Sequence, residues 1–92
     1  MIRSWRDEEA RKIFGGTRSK KLPSEILGTA RRKLVMLNAA TKLEDLRVPP
    51  NNRLEKLERD RAGQWSIRIN LQWRVCFTWD GGADDVEIVD YH

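Results

Sequence analysis

Ile26, Leu27, Ala30, Leu34 and Leu37 recur every three or four positions, which draws one apolar stripe along a long helix opened by Pro23. Arg31, Arg32 and Lys33 fall on its other faces. Upstream, Ile2 to Trp5 alternate apolar and polar side chains as a short strand would, and Asp7-Glu8-Glu9 supply the negative charge that favours a helix N-terminus. This first helix is predicted to stop at Gly15-Gly16, leaving Thr17-Arg18-Ser19-Lys20-Lys21 as a basic loop. Its two glycines make the stretch from Gly15 to Lys21 a candidate for mobility. Thr41, followed three residues later by Glu44, has capping-box spacing and predicts a short third helix through about Leu46, ended by Pro49-Pro50-Asn51-Asn52.

Beyond Asn52 the period changes from helical to alternating. Leu54 and Leu57 begin a weak strand and Asp60 to Gly63 make a turn. Trp65, Ile67 and Ile69 then alternate with Gln64, Ser66 and Arg68. After a turn at Asn70 to Gln72, Trp73, Val75, Phe77 and Trp79 alternate with Arg74, Cys76 and Thr78. Asp80-Gly81-Gly82 turns the chain once more, and Val86, Ile88 and Asp90 share one face of a last strand. Helices first and an antiparallel meander afterwards is an α+β plan, and a chain of 92 residues has room for one core, hence a single domain over residues 1–92.

Charge changes this picture more than composition does. The net charge is +4, but residues 1–61 carry 16 Lys and Arg against 9 Asp and Glu, while residues 62–92 carry 2 against 5. A basic front half favours a polyanionic partner without choosing among RNA, DNA and an acidic protein. The one cysteine, Cys76, lies in an apolar strand run, so neither a disulfide framework nor a Cys-rich zinc site is expected, and the compartment is read as reducing and cytoplasmic. No stretch resembles a signal peptide or a membrane span. There is no Gly-rich phosphate loop, metal-ligand cluster or acyl-transfer triad, so no cofactor and no metal is expected.

Arg68 and Arg74 fall on the polar side of adjacent strands, where two guanidinium groups would grip a phosphate or simply be solvated. His92, behind Asp90 and Tyr91, has the titration range of a general acid or base, although a terminal histidine is often idle. Tyr91 would stack on a base or donate a proton. Arg18, Lys20, Lys21, Arg31, Arg32 and Lys33, with Lys56 and Arg61, form the candidate set for RNA or ribosome contacts, against the reading of a solvated face. Trp65, Trp73 and Trp79 occupy apolar strand positions and read as core. Unaided, these residues define a basic α+β domain and no more.

The run Arg61-Ala62-Gly63-Gln64-Trp65-Ser66-Ile67-Arg68, then Gln72-Trp73-Arg74-Val75-Cys76-Phe77, and the ending Asp90-Tyr91-His92 together resemble the HigB branch of the RelE superfamily. The likeness extends over the whole chain, is most specific after Asn52, and in the Asn52-Arg53-Leu54-Glu55 and Asp90-Tyr91-His92 segments is similar to GraT-like members. The resemblance implies a RelE-like microbial ribonuclease fold, with N-terminal helices on a small antiparallel sheet. It also implies a type II toxin that cleaves messenger RNA in the 30S ribosomal A site without a metal, by attack of a ribose 2′-hydroxyl. It implies a HigA-type helix-turn-helix antitoxin as partner, and contact with operator DNA only through that antitoxin.

Carried over by residue, Arg74 matches the arginine that stabilises the phosphorane, Asp90, Tyr91 and His92 match the functional C-terminal trio, and Arg68 matches the wider superfamily. Glu55 and Glu58 stand where the best-known HigB pattern has a histidine and a lysine. Either Glu55 takes over as base, or the enzyme is slow and leans on the ribosome and the C-terminal trio, the reading favoured on charge grounds. The rival from another class is a catalytically silent antitoxin-binding module that modulates operator binding.

Overall fold

A computed structural model describes residues 1–91 of the chain. Its first helix, α1 (Glu8–Phe14), begins because the extended Asp7 offers its carboxylate to the Glu9 amide at 2.9 Å. The other oxygen of Asp7 accepts from the Ile88 amide at 3.3 Å, so one side chain both caps the helix and pins it to the last strand. Gly16 then reverses the chain at a φ of 90°, where a Cβ would be strained. The basic loop that follows is tied back to α1 through Ser19. Ser19 is buried, donates to Glu9 at 2.7 Å and accepts from the Lys21 and Leu22 amides.

The second helix, α2 (Ser24–Ala39), buries Ile26, Ala30, Leu34 and Leu37 as the apolar stripe requires, and it buries Lys33 as well. The predicted third helix is a 3-10 turn over Leu43–Arg47. Its cap is Asp45 rather than Glu44: the Asp45 carboxylate accepts from the Lys42 amide at 3.1 Å and from the Thr41 amide and hydroxyl at 3.0 and 3.1 Å. These donors hold its carboxyl below the usual range.

Four antiparallel strands follow in sequence order: β1 (Glu55–Lys56), β2 (Trp65–Arg68), β3 (Trp73–Trp79) and β4 (Ala83–Asp90). Trp65 pairs with Phe77 and Ile67 with Val75, and this side packs on the helices in one core with Leu34, Leu37, Val86 and Ile88. Trp65, Trp73 and Trp79 are partly buried against that core, as expected. Between the pairs Cys76–Glu87 and Thr78–Asp84 the register shifts, and Asp85 takes a φ of 52° there, so β4 carries a bulge. Ile2 and Trp5 form parallel bridges to Ala83 and Val86, so the strand expected at Ile2 to Trp5 exists only as isolated bridges along β4. Ser4 stabilises the bulge, its hydroxyl accepting from the Asp85 amide at 2.9 Å.

Candidate active site

The pleat sorts the second sheet face from the core face. Glu55 of β1, Ser66 and Arg68 of β2, Arg74 and Cys76 of β3, and Glu87 and Val89 of β4 share the side away from the helices. That side is not simply solvated: Ser66 and Cys76 are fully buried and Arg74 is 7% exposed. Long side chains lie across it and exclude water. Arg61 reaches over to Glu87 at 3.2 Å, with Arg6 3.8 Å from the same carboxylate, and Tyr91 lies over Arg74 with 4.8 Å between the guanidinium carbon and the ring centroid.

Arg74 is the centre of this arrangement. Its Nη1 donates to the Ser66 hydroxyl at 3.2 Å and stands 3.5 Å from a Glu55 carboxylate oxygen. Its Nε is buried and has no hydrogen-bond partner, as is the Nε of Arg68, its cross-strand neighbour. A guanidinium keeps its charge at every accessible pH, so burying one with donors unmet is costly unless an anion completes it. The structure therefore holds a cation in fixed orientation, backed by a hydroxyl and an aromatic ring, with hydrogen-bonding capacity in reserve. This removes the reading of Arg74 as a solvated strand residue. Arg68 also borders a groove of about 770 Å³ formed with Pro50, Asn51, Arg53 and Asn70.

Tyr91 is held there by its own backbone, whose amide donates to the Gln72 carbonyl at 2.6 Å. Asp90 is exposed and pairs in register with Trp73, on the same side of the strand as Ile88. The pleat thus sets Asp90 and Tyr91 to opposite sides of the strand end, and among the described residues only Arg74, Arg68, Glu55 and Tyr91 of the candidate set share one face. His92 lies outside the described residues.

The candidate RNA contacts divide. Arg18, Lys20, Lys21, Arg31 and Arg32 are exposed, and Arg18, Arg31 and Arg32 border a groove of about 460 Å³ between α1 and α2. Those helices pack on the opposite side of the sheet from Arg74, so this basic surface and the Arg74 face are separate. Lys33 is removed from the set: it is 8% exposed, its ammonium donates to the Asn52 side chain at 2.5 Å, and burial pushes its pKa down. Lys56 pairs with Trp65, which sets it on the side away from Arg74. Arg61 is on the Arg74 side but is already engaged by Glu87 and by Gln64 at 3.1 Å.

Sequence reasoning missed Ser66, which acts through Arg74 on the adjacent strand, and Glu87, which is met by Arg61 and Arg6 from outside the sheet. Cys76 is fully buried, and burial pushes its thiol up to about 11, which makes it a poor nucleophile.

Comparison with known proteins agrees with this architecture. Residues 3–92 match the family of HigB-like toxins, described as RelE-like toxins of type II toxin-antitoxin systems. The chain is 43% identical over 75 residues to Toxin HigB-1 of Vibrio cholerae, covering 82% of this chain and 79% of the relative. It is 27% identical over 93 residues to Endoribonuclease HigB of Proteus vulgaris, covering 100% of both. Among solved structures it is similar in fold to a chain of the YoeB-YefM complex from Staphylococcus aureus, with a TM-score of 0.60 at 16% identity over 100% of this chain and 98% of that one.

Proposed function

Because the chain belongs to the HigB-like family of RelE-like type II toxins, we propose that it is an endoribonuclease that cleaves messenger RNA in the ribosomal A site and so arrests translation. The observation that carries this reading is Arg74, a buried, pre-oriented guanidinium with an unpaired Nε, set between Ser66 and Tyr91 on one sheet face. The name of the Proteus vulgaris relative points to the same chemistry.

In this reading a ribose 2′-hydroxyl gives up its proton, to Glu55 or to the C-terminal trio with solvent, and attacks the neighbouring phosphorus; the bond to the leaving 5′-oxygen breaks, that oxygen takes a proton, and a 2′,3′-cyclic phosphate remains. Arg74 supplies positive charge where the phosphorane gains negative charge, and Arg68 supports it from the adjacent strand. Tyr91 offers its ring as a stacking platform and its hydroxyl as a proton donor. Asp90 and His92 are carried over from the family pattern, His92 as the acid that protonates the leaving oxygen. The exposed Arg18, Lys20, Lys21, Arg31 and Arg32 contact ribosomal RNA from the helix side, with affinity that falls as salt rises. The cognate antitoxin is of the HigA helix-turn-helix type, operator DNA is contacted only through it, and the protein works in the cytoplasm. No described helix is long and apolar enough to cross a membrane.

Primer extension on a defined messenger RNA in a reconstituted translation reaction, with and without ribosomes, tests the reading. Cleavage inside codons that needs ribosomes is expected, falling roughly 100- to 1,000-fold in Arg74→Ala, as when one transition-state donor is removed, and falling also on deletion of His92. Uncut RNA in every lane refutes it. That result would favour a catalytically silent antitoxin-binding module, a reading to which the carboxylate beside Arg74 lends weight.

A further inference from the structure

Arg74 already has an anion at its side, and that anion belongs to the chain. Glu55 and Arg74 form the one ion pair of the described residues that joins two members of the candidate site, and it is a lopsided pair. The guanidinium side chain is 9% exposed and fixed by Ser66 and Tyr91, whereas the carboxylate side chain is 48% exposed. At 3.5 Å from Nη1 the carboxylate neutralises charge without making a short, charge-assisted hydrogen bond. Its backbone is lightly held too, since β1 has two residues and pairs on one side only, Glu55 with Ser66 and Lys56 with Trp65. One partner is therefore immobile and the other is placed to yield.

We propose that Glu55 is a resident counter-anion, occupying the phosphate position at Arg74 while the site is empty and displaced by a phosphodiester when substrate enters. The inference rests on the nuclease reading for its biological meaning and on the ion pair alone for its physics. A buried guanidinium needs a compensating charge, because desolvation without a partner is strongly unfavourable. The carboxylate provides it, keeping the empty site folded and the arginine oriented. The same charge must then be moved aside, or kept a few ångströms from a phosphate of like sign. Like charges about 6 Å apart at an effective dielectric near 40 repel enough to weaken phosphate binding about tenfold. Glu55 thus trades affinity for a stable empty site and sets the strength with which the toxin holds RNA. A neutral side chain of the same shape would bind phosphate more tightly.

The test compares the full-length native protein with Glu55→Gln, titrating each with inorganic phosphate at constant ionic strength and following arginine Nε–H signals by nitrogen-15 spectroscopy. The Arg74 signal is identified by its disappearance in Arg74→Lys. Glu55 is half exposed on a two-residue strand, so its amide variant is expected to lose stability at the empty site without unfolding the domain, which the remaining amide spectrum checks. The expected result is a phosphate dissociation constant about tenfold lower in Glu55→Gln, read at Arg74. An unchanged constant overturns the proposal, as does a weaker one. Messenger RNA cleavage, run in parallel, separates the roles: loss of cleavage with unchanged phosphate affinity makes Glu55 a general base and not a resident anion. Tighter phosphate binding with RNA left uncut by both proteins retains the resident anion and refutes the nuclease.

Discussion

Replacing Asn52 with Ala strands the Lys33 ammonium in the interior. Asn52 is fully buried, and its amide is the hub that fastens the excursion from Thr41 to Leu54 onto α2. Its carbonyl oxygen accepts from Lys33 at 2.5 Å, while its NH₂ group donates to the Leu46 carbonyl at 3.1 Å and approaches the Met36 sulfur at 3.0 Å. A buried hydrogen bond to a charged group contributes roughly 1.5–3 kcal/mol and one to a neutral carbonyl about 1 kcal/mol. Asn52→Ala should therefore cost about 3–4 kcal/mol, a large share of the roughly 5–15 kcal/mol that holds a domain folded. In urea denaturation this is a midpoint lower by about 2 M. Lys33→Met removes the charge instead of its acceptor and should cost only about 1–2 kcal/mol. Cleavage per folded molecule should stay within about twofold in Lys33→Met, since a buried lysine is no RNA contact.

The pH dependence has a fixed sign. Burial lowers the Lys33 pKa below its ordinary 10.5, so the unfolded chain binds this proton more tightly than the folded one. Stability at this group is therefore gained as pH rises from the folded value towards 10.5, and losing Asn52 should widen that window. A cost below about 1 kcal/mol for Asn52→Ala, or a larger cost for Lys33→Met than for Asn52→Ala, refutes the reasoning.

Three further outcomes are expected. Asp7→Ala removes both the α1 cap and the acceptor for Ile88, and should lower stability by about 2 kcal/mol and the melting temperature by about 10 °C in calorimetry. Asp7→Asn, which keeps both acceptor positions open to one oxygen, should recover part of it. Ser66→Ala leaves the fold intact but frees the Arg74 guanidinium, so kcat for cleavage should fall about tenfold with KM moved less than twofold; equal falls in stability and activity would show a packing role instead. Cys76 should resist thiol reagents at pH 8 in the native state and react only on unfolding, because its thiol is buried and raised to about 11.

Periodicity made most of the architecture legible. The stripe of Ile26, Ala30, Leu34 and Leu37 and the alternation from Trp65 to Trp79 each map onto a buried surface that binary patterning is bound to reveal. What failed was the polar side. Ser66, Arg74 and Cys76 read as outward positions, yet they are buried, because Tyr91, Arg61 and Glu87 fold over them from other strands and loops. Lys33 failed for the same reason, since nothing local announces that Asn52, nineteen residues on, will receive its ammonium. The capping box was expected one residue early, at Thr41 and Glu44; Lys42 is the N-cap and Asp45, three residues on, its partner, so the spacing held and the position shifted. For the site, the family likeness pointed to Arg74, Tyr91 and Asp90 together, whereas the alternation had already put Asp90 on the face of Val86 and Ile88, and the register agrees with the alternation.

The docking of residues 1–7 along the bulged last strand has an effect on how this protein meets other chains. Ala83 and Val86 exchange backbone hydrogen bonds with Met1, Arg3, Ser4 and Arg6, and Ile88 is taken by Asp7. One rim of the sheet is thereby closed up to Ile88 by the chain's own beginning, and the opposite rim is β1, only two residues long. Among the described residues neither rim presents the long row of unpaired amides and carbonyls that templates aggregation or accepts a foreign strand. A partner is thereby offered side-chain surfaces, on the helices or over Arg74, and little edge along which to lengthen the sheet.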